Sequence, residues 1–407
     1  MKVSLKKCFI IALVFSVLFS FLKVNFSFKT QYSIKTIQIN ANLDITNDLE
    51  KEIEDQIDTL ENTDFDDILN NLGNREKTIF SGQSFFEKLK TIITGKESFS
   101  FSEILQLLLS LIIDNIVDIV PVLALICAVA ILSSLLLQFR GKALNKPLGD
   151  IIHFACFSII VVIVLTEVFT LVKLTSTTLS NLKSQMEISF PILLTLMVSL
   201  GAGSSVAIYQ PIIAILCGGI MYIFSMIILP IFSLCIIFNV IGNLTSSVKL
   251  GKITNFLGST FKYLVGFTFT IFAGFLAISG IVAGSYDSVS IRATKFAMKS
   301  YIPILGGYLS DGFSLIMASS VLIKNAIGYS GLIIMFLTII SPILKIIIFK
   351  LGLSLVAGII ESVADKRVTD FISSISKSLT MLSSIIIAFS FAYLICTGLL
   401  MCSSNVF

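Results

Sequence analysis

SIRATKFAMKSYIPILGGYLSDGFSLIMASSVLIKNAIGYSG, residues 290–331, is the stretch on which the reading of the fold turns. It lies among long apolar segments but is built differently. Arg292, Lys295 and Lys299 open it as a basic linker. A short apolar piece follows at Pro303 and is interrupted at Gly306 and Gly307. Asp311 comes next, then a second apolar piece that ends in Lys324 and Asn325. Neither half reaches the roughly 20 apolar residues that a spanning helix needs. Two half-spans meeting at glycines and a carboxylate predict a broken or re-entrant element. Such backbone is tolerated at membrane depth only under cover of protein or a water-filled cavity.

The surrounding chain sets that element in a membrane. Of 407 residues, 55% are hydrophobic and 13% charged, and the mean hydropathy is +0.97. Soluble domains run at roughly 45–50% apolar and about 25% charged. The composition therefore gives an all-α, polytopic helical membrane protein. The net charge of +4 averages over an uneven distribution, with acids crowding 44–67 and bases flanking the apolar spans. That asymmetry is a topology signal and not a nucleic-acid footprint. The seven cysteines form no CxxC pair and read as small buried hydrophobes. A single histidine, His153, excludes a multi-histidine metal site.

Three regions follow. Residues 1–22 read as a signal sequence, with Lys2, Lys6 and Lys7 before a 15-residue apolar run, either cleaved or kept as an anchor. Residues 23–103 form an exported polar arm. Between Asp44 and Asp67 it carries eleven acids and one base, Lys51. Leu49, Ile53, Ile57 and Leu60 recur there at helical spacing, so an acidic amphipathic helix is expected. It serves either to solvate the arm or to dock a partner. Residues 104–407 form a multi-span helical domain. Its first span, about 116–138, ends at Arg140, Lys142 and Lys146, the clearest positive loop and hence cytoplasmic. The next span, 151–172, places Glu167 near its outer end, where the carboxylate either snorkels to water or faces the bundle interior.

Within the membrane domain a candidate duplication appears. Pro191 and Pro230 are 39 residues apart, as are Pro303 and Pro342. At the offset of 112, Pro-Ile-Leu at 191–193 falls on Pro-Ile-Leu at 303–305. The expected repeats, 151–243 and 261–364, are parallel. Each contains a span, a basic outer linker that in the second copy holds Arg292 and Lys295, a short broken or re-entrant helix, and a long helix kinked at proline. A last span, 378–402, runs outward. At the same offset Asp311 and Lys324 correspond to Ser199 and Ile212, so the charge belongs to the second copy alone.

No catalytic constellation emerges. The Gly-Lys pairs at 95–96, 141–142 and 251–252 lack the rest of a phosphate-binding loop, and there is no HExxH. One histidine cannot serve a Ser/His/Asp set, and Asp311 has no motif-level carboxylate partner. The expectation is a protein that is not an enzyme and needs no cofactor.

The residues IRATKF (291–296), YIPILG (301–306), Ser310-Asp311 and LIKN (322–325) resemble the stage III sporulation protein AE family of endospore-forming bacteria. The similarity extends over the whole chain. It takes in the signal sequence, the polar arm, the positive loop at 140–146 and Tyr209-Gln210-Pro211, although the family often has another residue in place of Gln210. The resemblance implies a role after engulfment, in a channel or secretion-like apparatus joining mother cell and forespore. It implies residence in the mother-cell (outer forespore) membrane, with the arm in the intermembrane space. Implied partners are other stage III A proteins, among them a cytoplasmic ATPase and ring-forming proteins of the intermembrane space, and a forespore-side membrane protein. It defines no catalytic residues.

Two main readings stand. In the first, the chain is a permease-like core subunit of that apparatus, whose broken elements at 188–205 and 302–326 line or gate a path. Pro303, Gly306 and Gly307 would shape the path, and Asp311, Lys324 and Glu167 would be its polar groups. In the second, the chain is a self-sufficient secondary transporter of a small solute, built on the two repeats.

Overall fold

The computed structural model describes residues 101–138, 146–244, 250–301, 306–362 and 365–403. The signal sequence, the arm as far as residue 100, Arg140, Lys142 and Pro303 lie outside the described residues. Among the described residues there are six helices long and apolar enough to cross a membrane, and no strand. They are α1 (Phe101–Gln138), α2 (Lys146–Ser199), α3 (203–244), α4 (Gly251–Tyr301), α5 (Gly306–Ile360) and α6 (Lys366–Cys402). The chain is a multi-pass, all-α membrane protein.

The connections from α1 to α2, α3 to α4 and α5 to α6 share one end of the bundle. The positive residues Lys146, Lys252, Lys366 and Arg367 cluster next to them and mark that end as cytoplasmic. On that basis the opposite end, where α1 begins and α6 stops, is the outer one.

Helix α6 is the hub. It buries more of its length than any other span. Its aromatic rings meet three other helices edge-on or tilted. Phe371 packs on Phe157 of α2, Tyr393 on Phe190 of α2, Phe389 on Phe224 of α3 and Phe391 on Phe269 of α4. Polar contacts fix its antiparallel register with α5. The Ser376 hydroxyl donates to the Lys350 carbonyl (2.9 Å) near the inner end, and Lys324 Nζ donates to the Ser403 carbonyl at the outer end.

Helix α3 is composite. An α-helix, Gly203–Ala214, gives way to a π segment, Ile215–Ile220, one α turn, Met221–Ile223, a second π segment, Phe224–Ile228, and a closing α-helix, Leu229–Leu244. The second π segment has a local cause. Pro230 cannot donate to the carbonyl four residues back and its ring crowds that carbonyl, and a wider turn just before it relieves both. A proline-associated irregularity is thus where the sequence placed it. Pro342 sits inside α5 without interrupting it.

The broken half-helices are not found among the described residues. Helix α2 runs unbroken for 54 residues through the segment expected to be an outer linker. The chain turns only at 200–202, where Gly201 adopts φ 78°. Helix α4 likewise continues through Arg292 and Lys295 to Tyr301, and α5 runs unbroken through Asp311 and Lys324. The proline register is not reproduced either. At its offset the turn at 200–202 falls on 312–314, inside α5. A helix of roughly 80 Å greatly exceeds a hydrocarbon layer of about 30 Å, so it need not be apolar throughout, and polar stretches do not mark its ends.

Two glycines carry testable packing. Alanine at Gly201 would put a Cβ on a left-handed residue and is expected to cost about 1–2 kcal/mol. Unfolding in detergent should show that loss, with Gly201→Asn milder. Gly352 lets α5 approach α1, since a methyl there would collide with the Leu123 side chain and lie 3.2 Å from its Cγ. Gly352→Ala is expected to destabilise by about 1–3 kcal/mol through overpacking. Adding Leu123→Ala should restore part of that loss, and a strictly additive double variant would refute the contact.

Candidate functional site

The residues singled out by sequence do not gather into one site. Lys324 is fully buried at the outer end of α6. Its Nζ holds the Ser403 carbonyl, and the Ser403 hydroxyl lies 3.0 Å from the Tyr209 hydroxyl. Three helices, α3, α5 and α6, are thereby tied together at that end. Asp311 stands thirteen residues earlier on the same continuous helix, about 20 Å away along the axis. The two therefore do not face each other across a turn. Gly306 and Gly307 are the first two residues of α5. Arg292 and Lys295 lie on α4, and Lys146 is the first residue of α2.

Glu167 is corrected in depth. The span that holds it does not end at 172, so the carboxylate is not near an outer end. It lies ten residues beyond Phe157, whose ring packs on Phe371 near the inner start of α6. Glu167 therefore belongs to the inner part of the bundle, half-buried.

The feature that sequence reading missed is the middle of α2. Phe157, Val161, Val164, Val168, Leu171, Thr175, Thr178, Leu182, Gln185 and Ser189 are buried in turn, at alternating spacings of four and three. This is a heptad seam facing the bundle. In its outer half the seam turns polar. Thr175 and Thr178 donate to carbonyls of their own helix, both at 2.8 Å. Gln185 Nε2 donates to Thr338 Oγ1 of α5 at 2.6 Å. Gln185 Oε1 is buried without a hydrogen-bond partner.

The opposite face of the same stretch is polar and exposed. Lys173, Ser176, Thr177, Ser180, Ser184 and Glu187 follow one another on it. Lys183 closes the stripe by pairing with Glu187 at 3.3 Å, and the Glu187 side chain remains 51% exposed. From Lys173 to Glu187 the stripe is about 21 Å long by helical rise.

Its depth follows from the register. Helix α6 has no charged residue over 378–402, and α5 has none between Lys324 and Lys345. Gln185 meets Thr338 inside the uncharged run of α5, and Phe190 meets Tyr393 inside that of α6. Lys183 and Glu187 flank this level. They therefore lie close to the middle of the uncharged run of α6, which centres on Ser390.

Magnitude decides what the stripe can face. Two charges at the centre of a bilayer cost together roughly 5–7 kcal/mol on insertion scales. That rivals a whole folding stability of about 5–15 kcal/mol. The i,i+4 pairing at 3.3 Å offsets part of that cost. Lipid is thus the wrong neighbour for this face, and water or another polar protein surface is the right one. The π segment Ile215–Ile220 of α3 packs against α2. Such π segments are frequent at functional sites.

Comparison with known proteins gives one concordant answer. The family model described as stage III sporulation protein AE matches residues 83–404. The chain is similar to the stage III sporulation protein AE of Bacillus subtilis (strain 168). The two are 23% identical over 290 residues, which cover 71% of this chain and 73% of the relative. No solved structure matches the chain.

Proposed function

Because the chain belongs to the stage III sporulation protein AE family, we propose that this multi-pass protein is a core membrane subunit of a channel or secretion-like apparatus between mother cell and forespore. It works after engulfment, in the mother-cell-derived membrane, with its N-terminal arm in the intermembrane space. The observation that supports this reading is the exposed polar stripe of α2, level with the middle of the uncharged run of α6.

The mechanism is permease-like and not catalytic. Residues 173–187 offer a hydrated wall, and the ties of Lys324, Ser403 and Tyr209 hold the outer end of the bundle rigid behind it. Energy enters through a cytoplasmic ATPase, and ring-forming proteins and a forespore-side membrane protein continue the passage outward.

Deletion of the gene in sporulating cells tests the placement. Forespores are expected to complete engulfment and then fail to develop, with a tagged chain found in the mother-cell membrane. Normal spores from the deletion strain would contradict the proposal. So would purified chain that alone moves a small solute across vesicles, which is the behaviour of a self-sufficient transporter.

A further inference from the structure

On the seam side of α2, away from the stripe, a second polar group of residues lies inside the bundle. Ser189 of α2, Gly331 of α5 and Tyr393 of α6 meet there. Tyr393 is fully buried, and Phe190 holds its ring edge-on at 5.5 Å. The Tyr393 hydroxyl has no hydrogen-bond partner. Ser189 stands beside it but outside hydrogen-bond geometry. Glycine at 331 leaves room in front of both hydroxyls. Beyond its neighbours in α5, and among the described residues, the first atoms that an added Cβ would meet are Tyr393 Oη at 3.4 Å and Ser189 Oγ at 3.8 Å.

One turn inward on the same seam, Gln185 adds an acceptor. The Thr338 hydroxyl gives its single proton to the Ile334 carbonyl at 2.8 Å, so its oxygen accepts from Gln185 Nε2. The amide is thereby oriented, and Gln185 Oε1 is left buried without a donor. Buried polar atoms of this kind forfeit their hydration unless something pairs with them.

We propose that an internal water is bound over Gly331, accepting from the Tyr393 hydroxyl and donating to Ser189 Oγ and Gln185 Oε1. Three partners are about the usual number for a buried water. The donor set selects water over other occupants. All three groups are neutral oxygens, whereas a hard cation such as calcium takes roughly six to eight oxygens. The space in front of Gly331 admits a methyl-sized group, too little for an organic ligand. The water joins α2, α5 and α6 inside the bundle, and its site does not depend on whether the stripe lines a passage.

The test uses the full-length chain in lipid vesicles with isotope-labelled tyrosine, read by solid-state NMR. Magnetisation from water protons is expected to reach Tyr393 Cζ, identified as the signal that Tyr393→Phe removes. Gly331→Ala places a methyl in the water's position and should abolish that transfer while the Tyr393 signal remains. Unfolding in detergent gives a second readout. Alanine favours a helix over glycine, so a dry site predicts that Gly331→Ala changes stability equally with and without Tyr393→Phe. With the water, Gly331→Ala is expected to be at least about fivefold less favourable in the unfolding equilibrium constant when the tyrosine is present, because its hydroxyl is then stranded.

No transfer from water to Tyr393 would overturn the inference. So would transfer that persists unchanged in Gly331→Ala, which would place the water elsewhere. A stability difference without transfer would mean simple crowding of the methyl against the hydroxyl, and it too would overturn the inference.

Discussion

Leucine at Ser176, Ser180 and Ser184 together is expected to reduce forespore development to the level of a strain without the gene, while the amount of chain in the membrane holds or rises. The three serines are exposed along the α2 stripe. None of them supports the heptad seam, so the fold does not depend on them. Leucine inserts favourably, by about 0.3–0.6 kcal/mol per residue at a helix centre, so insertion cannot be blamed for lost function. Each substitution replaces a hydrated hydroxyl by an apolar side chain in a wall that needs water. A triple variant that sporulates normally would show that the stripe lines nothing.

Lys324→Ala is expected to produce the second largest effect, on stability and not on passage. The side chain is fully buried, and its ammonium donates to the carbonyl of Ser403, the residue that follows α6. Truncation leaves an acceptor without its donor at about 1–3 kcal/mol, and a cavity besides. The steady-state level of the chain should fall, and the outer end of α6 should become protease-sensitive. Lys324→Met separates this clamp from a role in conduction. It keeps the volume and removes the charge, and replacing a buried charge by a well-packed apolar group is often neutral. A Met variant that is stable and supports sporulation fits the clamp. One that is stable and inactive would restore Lys324 to the path.

Much of the architecture could be read from the sequence. The all-α, multi-pass character follows from hydropathy, because that depends on local composition alone. What could not be read is where the helices end. Residues 173–187 are polar on both faces, and a segment with hydroxyls and charges all round reads as a linker. In the bundle the two faces have separate reasons. Thr175, Thr178, Gln185 and Ser189 are the seam side, where the two threonines bond to their own backbone and Gln185 Nε2 to Thr338. Ser176, Ser180 and Ser184 are the outward side. Only tertiary context separates them, because the partner at Thr338 is 153 residues away.

The same confusion moved the candidate site. Stretch 290–331 drew attention because its charges interrupt apolar sequence, yet α4 runs through Arg292 and Lys295 to Tyr301, and α5, from Gly306, runs unbroken through Asp311 and Lys324. Lys324 marks the outer end of α6, and Asp311 is a further thirteen residues out along α5. Lys183 and Glu187 looked like ordinary linker charges. They became unusual only when the register against α5 and α6 set them at mid-depth.

The most direct test of the account is a cysteine-accessibility scan of residues 170–190 in otherwise cysteine-free chain, in membranes of sporulating cells. A membrane-impermeant thiol reagent is expected to label positions 173, 176, 177, 180, 184 and 187, with protection at 171, 175, 178, 182, 185 and 189. The labelled set should follow the exposed face through the middle of the bilayer. Protection of 180, 184 and 187 alongside the seam positions would contradict the account, because the polar face of α2 would then be sealed and no aqueous path could run along it.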